Sequence, residues 1–352
     1  MANYSVIDAD AHMVQLPNDS DIRSLMEEPY SEVEGPIFPG IGWDPTCYAR
    51  INPDLWSAQH QIGAMDQEGI DLSVLFPTRG LLVSQIPSQG WPTGRVRQMR
   101  DSGLPSAYCR GYNNYAANLC RVSPRLKAVG IVPFQDVTAS VAEVRRAVTE
   151  LGLVGIAASS LGLPEHIGSR TFWPIYEELQ RLQVPLLVHN LSYQVPLWHR
   201  LPDSFLFQDT VGGSMETLRS VTALMYGGIP EQFSELRIGF FNIGVGWIPY
   251  MMERMDRDFK SHGEEHAPLL KEKPSQYLTR GNWFYATLGN ESTLPFVLDC
   301  AGDEVVVFGS TYPDADSSFP NAVSNFRKRA DVSDESKRKI LCQNAKRLFG
   351  LG

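Results

Sequence analysis

The sequence lacks most features that mark secreted or membrane-spanning proteins. No two of its five cysteines, Cys47, Cys109, Cys120, Cys300 and Cys342, form a Cys-x-x-Cys pair. A disulfide framework and a cysteine zinc site are therefore excluded, and we expect buried, reduced thiols. No segment stays apolar for the roughly 18 residues that a membrane span needs, and residues 1–12 lack the basic and apolar start of a signal peptide. These absences predict a cytoplasmic protein that does not act on membranes.

Positive charge is also scarce. The 352 residues include 31 Lys and Arg against 40 Asp and Glu, a net charge of −9, and no basic cluster stands out. Nucleic acid is therefore excluded as a partner. Hydrophobic residues make up 43% and charged residues 20% of the chain, a composition that is ordinary for a globular protein. The length allows either two domains or one large α/β barrel.

Short apolar runs alternate with helical patterns along the whole chain. The runs predict eight strands, at residues 5–8, 72–76, 127–132, 154–158, 185–189, 236–241, 283–286 and 304–308. Between them, Val141, Val144, Val148 and Leu151 follow the spacing of one helix face. Strands that are apolar on both faces favour a parallel sheet covered by helices. Because no linker interrupts the pattern, we predict a single domain over residues 1–352, a (β/α)8 TIM barrel of the α/β class.

Three long segments, 13–55, 79–105 and 190–210, each follow a predicted strand. This places them at the carboxyl end of the barrel, where loops cover the active site. They are rich in proline, glycine and aromatic residues, and the chain holds seven Trp, thirteen Tyr and sixteen Phe. Either ordinary loops or an interface would fit. We predict an obligate oligomer in which segments 13–55 and 190–210 contact the partner.

Polar residues at predicted strand ends are the candidates for chemistry in such a barrel: Asp8, Asp10, His12, Ser159, His189, Asn242, Thr311 and Asp314. Asp10 and His12 alternate along the first strand, so both side chains can reach one ion at the mouth. His189 ends an apolar strand, where an imidazole without a partner would be costly. A metal ion would be one such partner, and a backbone carbonyl another.

Several motifs resemble the amidohydrolase-related family of metal-dependent barrels, which includes enzymes of the aminocarboxymuconate semialdehyde decarboxylase type. They are Val6-Ile-Asp-Ala-Asp-Ala-His12, Arg125-Leu-Lys-Ala-Val-Gly-Ile-Val-Pro133, Gly244-Val-Gly-Trp-Ile-Pro-Tyr250 and Gly309-Ser-Thr-Tyr-Pro313. The resemblance spans nearly the whole chain. It implies the metal ligands Asp10, His12 and His189, one divalent metal (Zn, Fe or Mn), and a small-molecule acid as substrate.

Two positions depart from the family pattern. Asn242 stands where the resemblance implies His or Glu on strand six, and Thr311 stands where it implies Asp on strand eight. A threonine hydroxyl cannot act as a general base near neutral pH. Asp314, three residues further on, is a possible catalytic or ligand replacement; a capping or surface carboxylate is the alternative. With these losses we expect at most one tightly bound metal ion per chain.

Three functions remain open. The first is a metal-binding subunit paired with an intact paralogous amidohydrolase-fold chain in a non-haem iron hydroxylase (monooxygenase), which resembles the paired α-aminoisobutyrate hydroxylase. The second is a mononuclear zinc or manganese hydrolase or nonoxidative decarboxylase of a small carboxylic acid. The third is a chain that itself activates oxygen at two irons, for which only Asp8, Asp10 and Asp314 would supply carboxylates. We expect the first of these.

Overall fold

The computed structural model describes residues 4–13, 20–32, 57–78, 80–81, 83, 103–160, 162–190, 208–314 and 317–352. Most of the predicted mouth segments 13–55, 79–105 and 190–210 lies outside these ranges. The described parts of the first segment include helix α1 (Ser20–Arg23) and a 3-10 turn at Tyr30–Glu32. None of the described helices is both long enough and apolar enough to cross a lipid bilayer.

Parallel strands form the centre of the described structure. In chain order they are β1 (Ile7–Met13), β2 (Leu72–Pro77), β3 (Leu126–Ala128), β4 (Gly130–Ile131), β5 (Ile156–Ser159), β6 (Leu186–His189), β7 (Ile238–Phe241), β8 (Trp283–Thr287) and β9 (Val306–Phe308). The first three pair in the order β1-β2-β3, and the others pair in the order β4 to β9. All pairs are parallel. This confirms the predicted α/β fold, a (β/α)8 barrel.

The two sheets are parts of one barrel wall. β3 and β4 are separated by Val129 alone, whose N–H donates to the Leu75 carbonyl of β2 (3.1 Å). The next residue, Gly130, turns to the other side and donates to Gly155 (2.9 Å). The run predicted as one strand at 127–132 thus occupies one place in the barrel wall, with a local bend between β3 and β4. Counted in this way, the described strands fill eight places in the wall.

Backbone contacts between β1 and the segment after β9 close the barrel. Thr311 donates its N–H to the Asp10 carbonyl (2.7 Å), and His12 donates to the Tyr312 carbonyl (2.8 Å). Gly309 lies so close to β1 that a Cβ there would come within 2.6 Å of the Asp10 Cβ. Together with the pairing to β2, which reaches Met13, these contacts make β1 longer than the predicted first strand, 5–8, so Asp10 and His12 lie inside it.

Helices cover the outside of the strands. They are α2 (Ala58–Glu68), α3 (Gly103–Cys120), α4 (Val137–Thr149), α5 (Trp173–Arg181), α6 (Ser214–Tyr226), α7 (Ile229–Gln232), α8 (Ile248–His266), α9 (Pro274–Thr279), α10 (Leu294–Ala301), α11 (Ala322–Arg327), α12 (Asp334–Arg338) and α13 (Asn344–Phe349). Single π-helical turns at Gln208–Gly213 and Lys339–Gln343 precede α6 and α13. On α4, Asp136 caps the first turn and Val144 is buried against the core, as the predicted helix face requires.

The interior is filled by aromatic and branched side chains. The largest of those that are almost fully buried are Trp283, Tyr108, Tyr112, Tyr176, Tyr277, Tyr285, Phe76, Phe134, Phe172, Phe240 and Phe241. The cysteines of the described residues are unpaired, as predicted. Cys109 and Cys342 are buried, but Cys300 is exposed on α10, so the expectation of buried thiols was wrong for that residue.

Candidate metal centre

Strand β1 carries two of the three predicted ligands. Its seven residues are all buried, and Asp10 and His12 are 0% and 5% exposed. Side chains two residues apart on a strand leave the same face, so both point toward the barrel interior at its carboxyl end. His189 is the last residue of β6 and is 2% exposed. Polar residues from two strands distant in sequence therefore share one buried layer.

The three side chains converge. One Asp10 oxygen, Oδ1, lies 3.5 Å from His189 Nε2 and 3.7 Å from His12 Nε2. One ligand atom from each residue lies within 4.8 Å of the other two. The two imidazole rings meet edge to face with their centres 5.0 Å apart. The predicted residues thus form one cluster of ligand atoms, well inside the roughly 6 Å limit beyond which a shared ion would be excluded.

Two of these residues present polar atoms that have no hydrogen-bond partner in the described part of the chain. Neither Asp10 oxygen, nor His189 Nε2, has a hydrogen-bond partner among the described residues, although all three atoms are inaccessible to solvent. Burying such atoms without a partner costs several kcal/mol for a charged group. The other His189 ring nitrogen, Nδ1, lies 2.6 Å from the Asn190 carbonyl and donates to it. This bond leaves the Nε2 lone pair directed at the cluster, which is the arrangement of metal-binding histidines.

The environment of His189 favours its charged form in the protein without metal. Burial alone would lower the pKa of His189, but Asp10, the Asn190 carbonyl and Asp314 together outweigh it and leave the pKa raised. The cluster therefore attracts positive charge. A metal cation would compete with a proton for this place.

Asp8, two residues before Asp10, has a different environment. Its carboxylate accepts hydrogen bonds from Ser310 N (2.9 Å), Ser310 Oγ (2.5 Å) and Asp10 N (3.2 Å). Desolvation raises the pKa of Asp8 to about 6 despite these bonds. Since its oxygens are occupied by Ser310 and the backbone, Asp8 fastens the end of β9 to β1. It does not join the ligand cluster, as the two-iron alternative would need.

At the two positions that depart from the family pattern, the side chains bond to other protein groups. Thr311 is fully buried and its hydroxyl donates to the Ser310 carbonyl (2.8 Å). Asn242 is half-buried, and its side-chain amide lies 3.4 Å from the Asn190 side-chain oxygen. Both have positive φ, +64° for Asn242 and +54° for Thr311. A positive φ is typical of tight turns.

Other candidates lie nearby in different roles. Ser159 ends β5 and is paired in register with His189. Asp314 comes within 3.9 Å of His12 through its Oδ2 atom. Reasoning from sequence missed Asn190, which bonds to the Asn242 carbonyl (2.7 Å) as well as orienting His189. It also missed the aromatic wall of Phe76 and Phe241. Only the position of Asn190 directly after a strand-end histidine could have indicated its role.

Phe76 and Phe241 form this wall beside the histidines. The Phe76 ring lies 5.3 Å from the His189 ring and 6.4 Å from the His12 ring, centre to centre. Its other neighbour is Phe241, at 4.7 Å. Both phenylalanines are fully buried and lie in register with the histidines, since His12 pairs with Phe76 and His189 with Phe241. One side of the cluster is therefore apolar.

Known proteins are similar to this chain over most of its length. Residues 89–351 match the family described as amidohydrolase. The 2-amino-3-carboxymuconate-6-semialdehyde decarboxylase of Dictyostelium discoideum is 24% identical over 88% of this chain and 80% of its own length. The gamma-resorcylate decarboxylase of Rhodococcus jostii is 29% identical over 89% of this chain and 92% of its own.

A solved structure has the same fold. The 5-carboxyvanillate decarboxylase of Novosphingobium aromaticivorans, complexed with manganese and 4-hydroxy-3-methoxy-5-nitrobenzoic acid, superposes with a TM-score of 0.74. The alignment covers 99% of this chain and 96% of that chain, at 21% sequence identity.

Proposed function

We propose, since the chain belongs to the amidohydrolase family, that it is a metal-dependent, nonoxidative decarboxylase of a small aromatic carboxylic acid. The observation that carries this proposal is the buried cluster of Asp10, His12 and His189, whose ligand atoms lie within 4.8 Å of one another. The decarboxylases similar to this chain support the reaction class. This is the second of the three functions that the sequence left open.

The residues of the cluster fit a divalent metal ion. Two imidazoles and one carboxylate are a donor set that zinc, manganese and iron accept. The Asp10 oxygens and His189 Nε2 are buried without hydrogen-bond partners in the described part of the chain, so an ion would satisfy them. Manganese in the similar 5-carboxyvanillate decarboxylase supports Mn²⁺ as the first ion to test. When bound, the ion supplies a Lewis acid for the oxygen atoms of the substrate.

The chemistry needs no redox cofactor. In a nonoxidative decarboxylation the bond between the ring carbon and the carboxylate carbon breaks, CO₂ leaves, and the electron pair stays on the ring carbon, which takes up one proton. The Asn190 carbonyl accepts a hydrogen bond from His189 Nδ1 and so orients the imidazole ring. Phe76 and Phe241 exclude water from one side of the cluster, and this apolar wall suits an aromatic ring.

The test begins with the full-length chain, freed of metal with a chelator and reloaded with Mn²⁺ or Zn²⁺. We expect about one equivalent of metal per chain, and CO₂ release from at least one member of a panel of hydroxylated benzoates that includes gamma-resorcylate and 5-carboxyvanillate. The matched control is protein carrying Asp10→Asn. Metal binding without CO₂ release, but with hydrolysis of amide or lactone substrates, would replace the decarboxylase by a hydrolase.

Pairing with a paralogous chain remains a separate proposal. It is motivated by Thr311 and Asn242, neither of which turns an acid or base toward the cluster. The similar proteins named above are decarboxylases, so they lend no support to iron, oxygen chemistry or the hydroxylase expected from the sequence. Co-expression with an amidohydrolase-fold chain that has Asp on its last strand, followed by sedimentation, tests the pairing. A stable homo-oligomer or monomer with full activity would contradict it.

A further inference from the structure

The turn that follows β9 returns a carboxylate to the metal cluster. Thr311 has a positive φ of +54°, and its carbonyl accepts the N–H of Asp314 (2.8 Å), which closes the turn. The Asp314 side chain is only 8% exposed, and its Oδ2 lies 3.9 Å from His12 Nε2. Thr311 occupies the position where the family resemblance implies an aspartate. Its own hydroxyl donates to the Ser310 carbonyl instead.

We propose that Asp314 is the second carboxylate ligand of the metal centre, an inference that rests on the proposed metal-dependent function. Two atoms bound at 2.0–2.2 Å to one ion lie roughly 3–4 Å apart. The 3.9 Å between Asp314 and His12 falls in this range, as do the 3.5 and 3.7 Å between Asp10 and the histidines. Asp314 approaches the cluster from the side of His12.

Charge supports the same assignment. With neutral imidazoles, Asp10 alone gives the cluster one negative charge, and Asp314 adds a second. Two carboxylates balance a divalent cation, whereas one leaves a net positive charge in a buried site, which is costly.

The experiment measures metal binding by the full-length chain, not activity alone. Metal-free wild type, Asp314→Asn, Asp314→Glu and the control Asp299→Asn are titrated with Mn²⁺ by calorimetry, and the bound ion is examined by electron paramagnetic resonance. Asp299 is an exposed carboxylate on α10, so its substitution makes the same charge change away from the cluster.

We expect Asp299→Asn to bind Mn²⁺ like the wild type and Asp314→Asn to bind at least about tenfold more weakly, with a changed resonance spectrum. Asp314→Glu, which keeps the carboxylate, should bind more tightly than Asp314→Asn. Equal affinity of wild type and Asp314→Asn overturns the proposal, even if the protein proves to be a decarboxylase. If the affinities differ as expected but no acid releases CO₂, the proposed reaction fails and the ligand assignment stands.

Discussion

Two buried layers of the protein, one around Asp8 and the other around Asp10, hold the same chemical group in opposite environments. Both carboxylates lie on β1, and both are at most 1% exposed. Asp8 accepts three hydrogen bonds from Ser310 and the Asp10 backbone. Asp10 accepts none through its side chain within the described residues, and instead faces two imidazoles at 3.5 and 3.7 Å.

The difference separates a structural carboxylate from a functional one. A buried carboxylate is stable when donors surround it. The hydrogen bonds of Asp8 to Ser310 help to close the barrel, and this structural role accounts for its burial. The Asp10 carboxylate has no donors among the described residues, and this is stable only if another group supplies positive charge. The comparison assigns metal binding to the layer of Asp10 and barrel closure to the layer of Asp8.

The largest expected effect is on metal binding by Asp10→Asn. This change removes the charge that the cluster presents to the ion, and we expect Mn²⁺ affinity to fall roughly a thousandfold, beyond the tenfold to hundredfold typical of groups outside the ligand set. The free energy of unfolding of the metal-free variant at pH 8.5 should not fall, because an unpartnered buried charge is lost. Calorimetry and urea unfolding measure the two quantities.

Asp8→Asn is the matched control for this change. It alters the same group two residues away on the same strand, so its Mn²⁺ affinity should stay within about tenfold of the wild type. An equal loss of affinity in both variants would show that the two layers are not distinct.

The second effect concerns pH and the stability of the Asp8 layer. Because desolvation raises the pKa of Asp8 from 3.8 to about 6, the folded protein holds a proton between these values that the unfolded chain has released. The contribution of Asp8 to stability therefore falls as pH rises from about 4 to about 6, by at most about 3 kcal/mol, and is level above. Urea unfolding of metal-free wild type and Asp8→Asn across this range measures the difference. If the free energy of unfolding changed with pH in the same way in both proteins, the raised pKa assigned to Asp8 would be contradicted.

Much of the fold could be predicted from the sequence, because alternating apolar runs and helix faces report burial directly. The first strand was predicted too short because Asp, Ala and His have little strand preference of their own. Its extension to Met13 depends on pairing with β2 and on hydrogen bonds from Thr311 and to Tyr312, all of them distant in the sequence. Such pairings leave no local signal.

The site divides in the same way. Asp10, His12 and His189 could be found because strand ends in a barrel converge. The roles of Asp8, Asn190 and Phe76 could not, since each depends on a contact between separate strands: Asp8 with Ser310, Asn190 with Asn242, and Phe76 with the His189 ring. A sequence indicates which residues reach the mouth. It does not indicate which of these residues find their hydrogen-bond partners within the protein.

The smallest expected effect is on the stability of variants at Asn242, the residue that follows β7. Its backbone has φ +64°, and its side chain makes one long contact, 3.4 Å, with Asn190. An alanine at positive φ is strained, whereas glycine adopts this conformation freely. We therefore expect Asn242→Ala to lower the free energy of unfolding by about 1 kcal/mol and Asn242→Gly to lower it by less, in urea unfolding. Mn²⁺ affinity should stay within about twofold of the wild type in both. If both variants instead lost Mn²⁺ affinity equally, the Asn242 side chain would belong to the metal centre. The distinction between residues that the protein hydrogen-bonds and residues left for the metal would then fail at Asn242.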